Sequence, residues 1–183
     1  MRNLAPLILG LAVTSSEVRA EDARPLSPRD IYKSRAAGVV LVFASDGRVK
    51  GNAGTGSVIS KDGKVLTNAH VVMKEGRRYE NVFVYLKPDR LRGASKYDLQ
   101  RRFSTRLLAA DIKMDLALLQ IVDPPKDLVT IPFGDSNEVE IGEPVVAIGH
   151  PETGGLWTLT TGSVSSVIAD FQGVQGRDAF QTE

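Results

Sequence analysis

The chain contains no cysteine, which excludes a disulfide framework, a thiolate nucleophile and every thiolate metal site. Histidine is almost as scarce. There are two, His70 and His150, and neither their spacing nor a third ligand supports a metal centre. No metal and no cofactor is expected. A surplus of one charge is missing as well: 23 basic residues face 22 acidic ones, so no global field draws the chain to nucleic acid or to a membrane surface. The apolar run at the N-terminus, Leu4 to Val13, is too short for a bilayer that needs about 20 residues.

That run has another reading. Arg2 precedes it and Val18-Arg19-Ala20 follows it, the order of charge, apolar stretch and small-residue cleavage site found in a secretory signal peptide. Residues 1–20 are therefore read as an export signal. Its removal takes away Arg2, Arg19 and Glu17 and leaves acidic and basic residues equal in number. An exported chain without disulfides must rely on its core, which suits a bacterial envelope compartment. The expected location is periplasmic or secreted, with no membrane contact beyond the signal peptide.

The remaining composition, 42% hydrophobic and 25% charged, is that of an ordinary globular protein. Residues 21–38 read as a linker and a short helix, with Ser27 as N-cap, Pro28 at the first helical position and Gly38 as the stop. Short β-branched or apolar runs follow: Val39 to Phe43, Gly56 to Ser60, Lys64 to Ala69, Asn81 to Leu86, Leu116 to Val122, Val145 to Gly149 and Thr158 to Ile168. Lys61-Asp62-Gly63 between two of them is a hairpin signal. Many short strands with glycine turns predict an all-β barrel or sandwich. Pro124-Pro125 marks a boundary between residues 39–125 and residues 126–183. Between Gly76 and Arg106 nine basic residues face three acidic ones. No aromatic interleaving supports base stacking there, so this segment is expected to be a solvated excursion around one strand, and no nucleic-acid partner is expected.

His70 lies in LTNAHVV, behind an apolar strand-like run. A histidine serves as a base toward serine when a carboxylate fixes its tautomer and stabilises the imidazolium. Asp115, in DIKMDLALLQI, directly precedes a run hydrophobic enough to be buried, where an unpaired carboxylate would be costly. Asp111, in a more polar context, is expected to be structural.

The segments around these two residues carry a resemblance. GTGSVISKDGKVLTNAHVV (Gly54 to Val72), DIKMDLALLQI (Asp111 to Ile121), FGDSNEVEIGEPVVAIGHP (Phe133 to Pro151) and TTGSVSSV (Thr160 to Val167) resemble the chymotrypsin-like serine proteases of the bacterial HtrA/Deg-type branch. The resemblance covers most of the chain from about Ser34. It implies the chymotrypsin/trypsin-like fold: all-β, two antiparallel β-barrels with the site in the cleft between them, the first complete here and the second only partly present. It also implies His70 as general base, Asp115 as its orienting carboxylate, polypeptide substrates such as unfolded or damaged envelope proteins, and a homo-oligomer, in this branch a trimer. Two positions depart from the pattern. Ser57 replaces a bulky apolar residue, and His150 stands where the family favours asparagine, as an expected turn residue.

The third member of a His-Asp-Ser triad should follow Asp115 on a glycine-flanked turn. Gly134-Asp135-Ser136 continues into Asn137 and Glu138, and in the family this serine belongs to the loop opening the second barrel. Ser163 lies in a strand-like run. The chain is therefore expected to end at Glu183 just before its catalytic serine, in keeping with the roughly 200 to 250 residues that two complete barrels need. The expected function is that of a serine endopeptidase, with residues 1–183 inactive alone. The alternative is a non-catalytic binding protein of the same fold.

Overall fold

A computed structural model describes residues 26–47, 51–151 and 154–183; the segment read as a signal peptide and most of that read as a linker lie outside these. The first helix, α1 (Pro28–Arg35), is capped by Ser27, whose side chain accepts the Asp30 N–H. A 3-10 turn then carries the chain to Gly38.

Six strands close into a barrel in the order β1-β2-β3-β8-β7-β6, with β1 (Val39–Ser45), β2 (Gly51–Val58), β3 (Lys64–Thr67), β6 (Asn81–Leu86), β7 (Arg102–Asp111) and β8 (Leu116–Ile121). Inward positions alternate with outward ones on β6 and β8, as one buried face requires. The interior is built from small β-branched side chains: Val40, Val42, Val58, Val65 and Val84 are fully buried beside Leu119 and Ile121. Strand β1 is buried on both faces, because its outer side is covered by the second half of the chain. The hairpin read from Lys61-Asp62-Gly63 is present, and Gly63 turns it at φ 92°, a left-handed conformation that glycine adopts without steric cost.

Several expectations about individual strands are corrected. Strand β3 stops at Thr67, because Ala69 opens a single helical turn, α2 (Ala69–Val72). Strand β2 starts at Gly51, five residues early, in a Gly- and Asn-containing stretch that gives little side-chain signal. The basic segment holds β6 and the start of β7, more strand than the single one expected, with a loop from Lys87 to Arg101 between them. After α2 come the ribbon β4 (Met73–Lys74) and β5 (Arg77–Arg78), and ten-residue β7 pairs antiparallel with β6 and β8. Along β7 the half-buried residues Phe103, Thr105 and Leu107 alternate with exposed Arg102, Ser104 and Arg106, and the arginines hide that period in the sequence. Between β6 and β7, in the loop that ends in α3 (Ser95–Asp98), buried Asp98 accepts the backbone N–H groups of Arg92, Gly93 and Ala94 at 2.8, 2.8 and 3.1 Å. Arg101 holds Asp127 through two bonds of 2.9 and 2.8 Å. Arg102 lies 4.7 Å from the Phe83 ring centroid. Part of the positive charge is thus used within the fold.

Beyond the barrel, β9 (Pro144–Gly149), β10 (Thr158–Ile168) and β11 (Ala179–Thr182) form a three-stranded antiparallel sheet with β10 in the middle. The first half of β10 pairs with β9 and the second half with β11. Leu128 lies past the double proline yet packs in the barrel core. Two contacts clamp the new sheet to the barrel. Buried Trp157 donates its Nε1–H to the Val39 carbonyl at 2.7 Å. His150 leaves β9 as expected of a turn residue, but its ring is tucked against Thr55 of β2. Thr55 Oγ1 accepts the His150 backbone N–H at 3.0 Å and lies 3.3 Å from His150 Nδ1, while the Trp157 ring stands edge-on at 4.7 Å. Burial pushes the His150 pKa down to about 4, and its Nε2 has no hydrogen-bond partner among the described residues.

Candidate active site

The ladder between β3 and β8 builds the site. Thr67 at the end of β3 pairs with Ala117, the second residue of β8, so the chain leaving β3 and the chain entering β8 emerge at the same end of the barrel. The first carries Asn68 and His70, the second Asp115. Asp115 adopts φ 55°, a left-handed conformation in which aspartate is several-fold enriched. The turn before it is fixed by Asp111, which accepts the Met114 N–H at 2.9 Å; this is the structural role expected of Asp111. On the other side, α2 sits close over β2. A Cβ added at Gly54 would stand 2.5 Å from Val71 Cγ2, so only glycine lets the helical turn carrying His70 pack so low.

Asp115 and His70 meet directly. His70 Nδ1 lies 2.8 Å from Asp115 Oδ2 and 3.0 Å from Oδ1, and the His70 backbone N–H donates to Oδ1 at 2.9 Å. A carboxylate only accepts, so Nδ1 must carry the proton. The other ring nitrogen, Nε2, is then the basic one, and no serine hydroxyl among the described residues hydrogen-bonds to it. His70 is 66% exposed in its side chain and Asp115 20%. Partial burial pushes the Asp115 pKa up, but the His70 backbone and ring N–H groups, with the charges of His70 and Arg177, outweigh it and hold the carboxyl below its usual range.

Three further residues complete the site. Asn68 stands at the N-cap position of α2 but makes no side-chain cap bond. Its amide instead reaches Asp115, donating to the backbone carbonyl at 3.0 Å and to Oδ2 at 3.3 Å. Asn52 on β2 donates to the His70 carbonyl at 2.8 Å. Arg177, from the loop between β10 and β11, places Nη2 3.9 Å from Asp115 Oδ2. Asn68 belongs to the TNAHVV stretch and could have been singled out from it; Asn52 and Arg177 carry no sequence signal. A cavity of about 390 Å³ opens beside the pair, lined by His70, Asp115, Met73, Ile112, Gln172 and Arg177.

The candidate serines lie elsewhere. Ser136 opens an exposed 3-10 turn capped by Asp135, whose side chain accepts the Asn137 N–H at 2.9 Å. Ser163 sits within β10, where its backbone exchanges hydrogen bonds with Glu183. Among the described residues no group of three or more His, Asp or Glu side chains is arranged to hold a metal ion.

Comparison with known proteins agrees with this architecture. Residues 54–183 match the family model described as trypsin-like peptidase domain. A probable periplasmic serine endoprotease, DegP-like, of Brucella suis biovar 1 (strain 1330) is 40% identical over 114 residues, which is 62% of this chain and 19% of the relative. The protein of the same description from Hahella chejuensis (strain KCTC 2396) is 38% identical over 115 residues, covering 63% and 21%. The magnetosome formation protease MamE of Paramagnetospirillum magneticum (strain ATCC 700264 / AMB-1) is 33% identical over 134 residues, 72% of this chain and 16% of that protein. The matches thus span about a fifth of these relatives' length. Among solved structures, the HtrA-type protease AlgW with tripeptide superposes with a TM-score of 0.64 at 24% identity, over 82% of this chain and 43% of that one, a likeness of fold.

Proposed function

The chain belongs to the trypsin-like peptidase domain family, and from that premise we propose that it supplies the base and the orienting carboxylate of a serine endopeptidase acting on unfolded or damaged polypeptides in the bacterial envelope. The observation that carries the reading is the Asp115 carboxylate on His70 Nδ1 at 2.8 and 3.0 Å, which fixes the tautomer with Nε2 free to act. In the reaction, Nε2 removes the proton from a serine hydroxyl as its Oγ bonds to the peptide carbonyl carbon. The imidazolium, held by Asp115, then returns that proton to the leaving amine nitrogen as the C–N bond breaks. A water attacks the resulting ester by the same route and frees the enzyme. The envelope location rests on the relatives' description as periplasmic.

The attacking serine is proposed to lie outside residues 1–183, since neither Ser136 nor Ser163 approaches the base. Two preparations test this: residues 1–183, and the product of the natural coding sequence read beyond codon 183. The first should hydrolyse no casein and take up no fluorophosphonate, whereas the second should do both. In the longer protein, Asp115→Asn should lower kcat about 10⁴-fold and His70→Ala about 10⁶-fold. Stoichiometric labelling of residues 1–183, or near-normal turnover in either variant, would overturn the assignment.

A further inference from the structure

Arg177 is remote in sequence from both members of the pair, yet its guanidinium ends in their cavity. Its loop is braced by its own hydrogen bonds. Asp170 accepts the Gly176 N–H at 2.7 Å and Asp178 accepts the Asp170 N–H at 3.0 Å, so the two acidic groups of the loop are engaged with backbone. The guanidinium stacks 5.3 Å from the Phe171 ring centroid. Its Nη1 donates to Gln172 Oε1 at 3.1 Å and to the Lys113 carbonyl at 3.4 Å, the latter within the turn that presents Asp115. With Nη1 held in this way, Nη2 faces Asp115 Oδ2 at 3.9 Å. Arg177 is only 20% exposed in its side chain.

The distance matters. At 3.9 Å no hydrogen bond forms, and Asp115 is already seated by His70 and Asn68, so Arg177 acts on the carboxylate through its field. The charged groups facing His70 across the cavity are Asp115, Arg177 and Glu75 from the turn between β4 and β5. Oδ2 is thus shared by two cations whenever His70 is protonated, and only one of them can leave its charge behind.

Resting on the reading of His70 and Asp115 as base and carboxylate, we propose that Arg177 is a positioning residue that acts through Asp115: by sharing Oδ2 with His70 it weakens the hold of the carboxylate on the imidazolium and so sets the strength of the base. The β10–β11 loop becomes part of the catalytic apparatus without touching the ring. Displacing that loop strengthens the base.

The test reads the His70 ring directly by ¹⁵N and ¹³C NMR in the purified protein, and needs no turnover. Neutralising Arg177 as Arg177→Gln should raise the proton affinity of His70 about twofold to fivefold, the range a part-exposed ion pair supports. Arg177→Met, which keeps the apolar stem over Phe171, should do the same, so that failure of one variant to fold leaves the other to decide. Arg177→Lys should stay near the parent. Asp115→Asn serves as the reference and should lower the affinity. If both neutral variants match the parent while Asp115→Asn lowers it, the proposal fails and the His70–Asp115 pair survives. If Asp115→Asn is also without effect, the pairing itself is wrong.

Discussion

The two halves of this molecule solve the same problem differently. The six-stranded barrel closes on itself, so every strand has two neighbours, and its interior is filled with valines and a few larger side chains buried to within 1%. The three-stranded sheet has edges at β9 and β11, and among the described residues of its strands only Val164 is fully buried. Val167 and Phe180 on the same sheet are 52% and 39% exposed. The sheet is fixed to the barrel through Trp157 and His150 rather than through a core of its own. Stability should therefore reside in the barrel, while the junction should respond to solution conditions.

The largest test of that contrast is Leu119→Ala in the barrel interior. Deleting a fully buried leucine should cost about 3 to 4 kcal/mol in chemical denaturation, because the transfer loss and the cavity add. A cost below about 1 kcal/mol would mean that the barrel is not the stable half.

Acid should strike the junction next. The folded pKa of His150 is depressed to about 4 by burial, against about 6.5 in an unfolded chain. The unfolded state therefore binds the proton first, so the contribution of neutral His150 is intact above pH 6.5 and is lost as pH falls toward 4. By pH 4 the loss should reach about 3 kcal/mol. His150→Gln should remove that part of the slope between pH 6.5 and 4, whatever it does to stability at pH 8. Identical slopes in parent and variant would place the acid sensitivity elsewhere.

The smallest effect should come from the open sheet. Val167→Thr keeps the branched β-carbon at an exposed position, and its change in unfolding free energy should stay within about 0.5 kcal/mol. A loss comparable with Leu119→Ala would erase the distinction between the halves.

The same contrast explains how much could be read from the sequence. Strands with a clean apolar or alternating pattern were legible almost to the residue, as β6 and β10 show. Strand β7 was not, because Arg102 and Arg106 on its outer face, in a stretch rich in basic residues, gave it the look of a solvated loop. His70 and Asp115 could be named because the segments around them resemble those of a known protease family; a lone histidine or aspartate beside an apolar run reads as well as a core or turn residue. The contacts that finish the site could not be named. Asn52 reaches His70 across 18 residues and Arg177 reaches Asp115 from another sheet, and neither distance leaves a trace in local periodicity. His150 shows the same limit: nothing local says that the residue after a strand will be pressed between Thr55 and an indole.

The pairing of β3 with β8 has a consequence in time. His70 and Asp115 are 45 residues apart, and they meet only after both strands have been made and zipped together. Non-local pairings of this kind form late, since the entropy of closing the intervening chain must be met before any contact repays it. A nascent chain that has emerged as far as β6 therefore carries the histidine without the carboxylate that fixes its tautomer. The folding order itself keeps His70 apart from its carboxylate until the barrel around them is sealed.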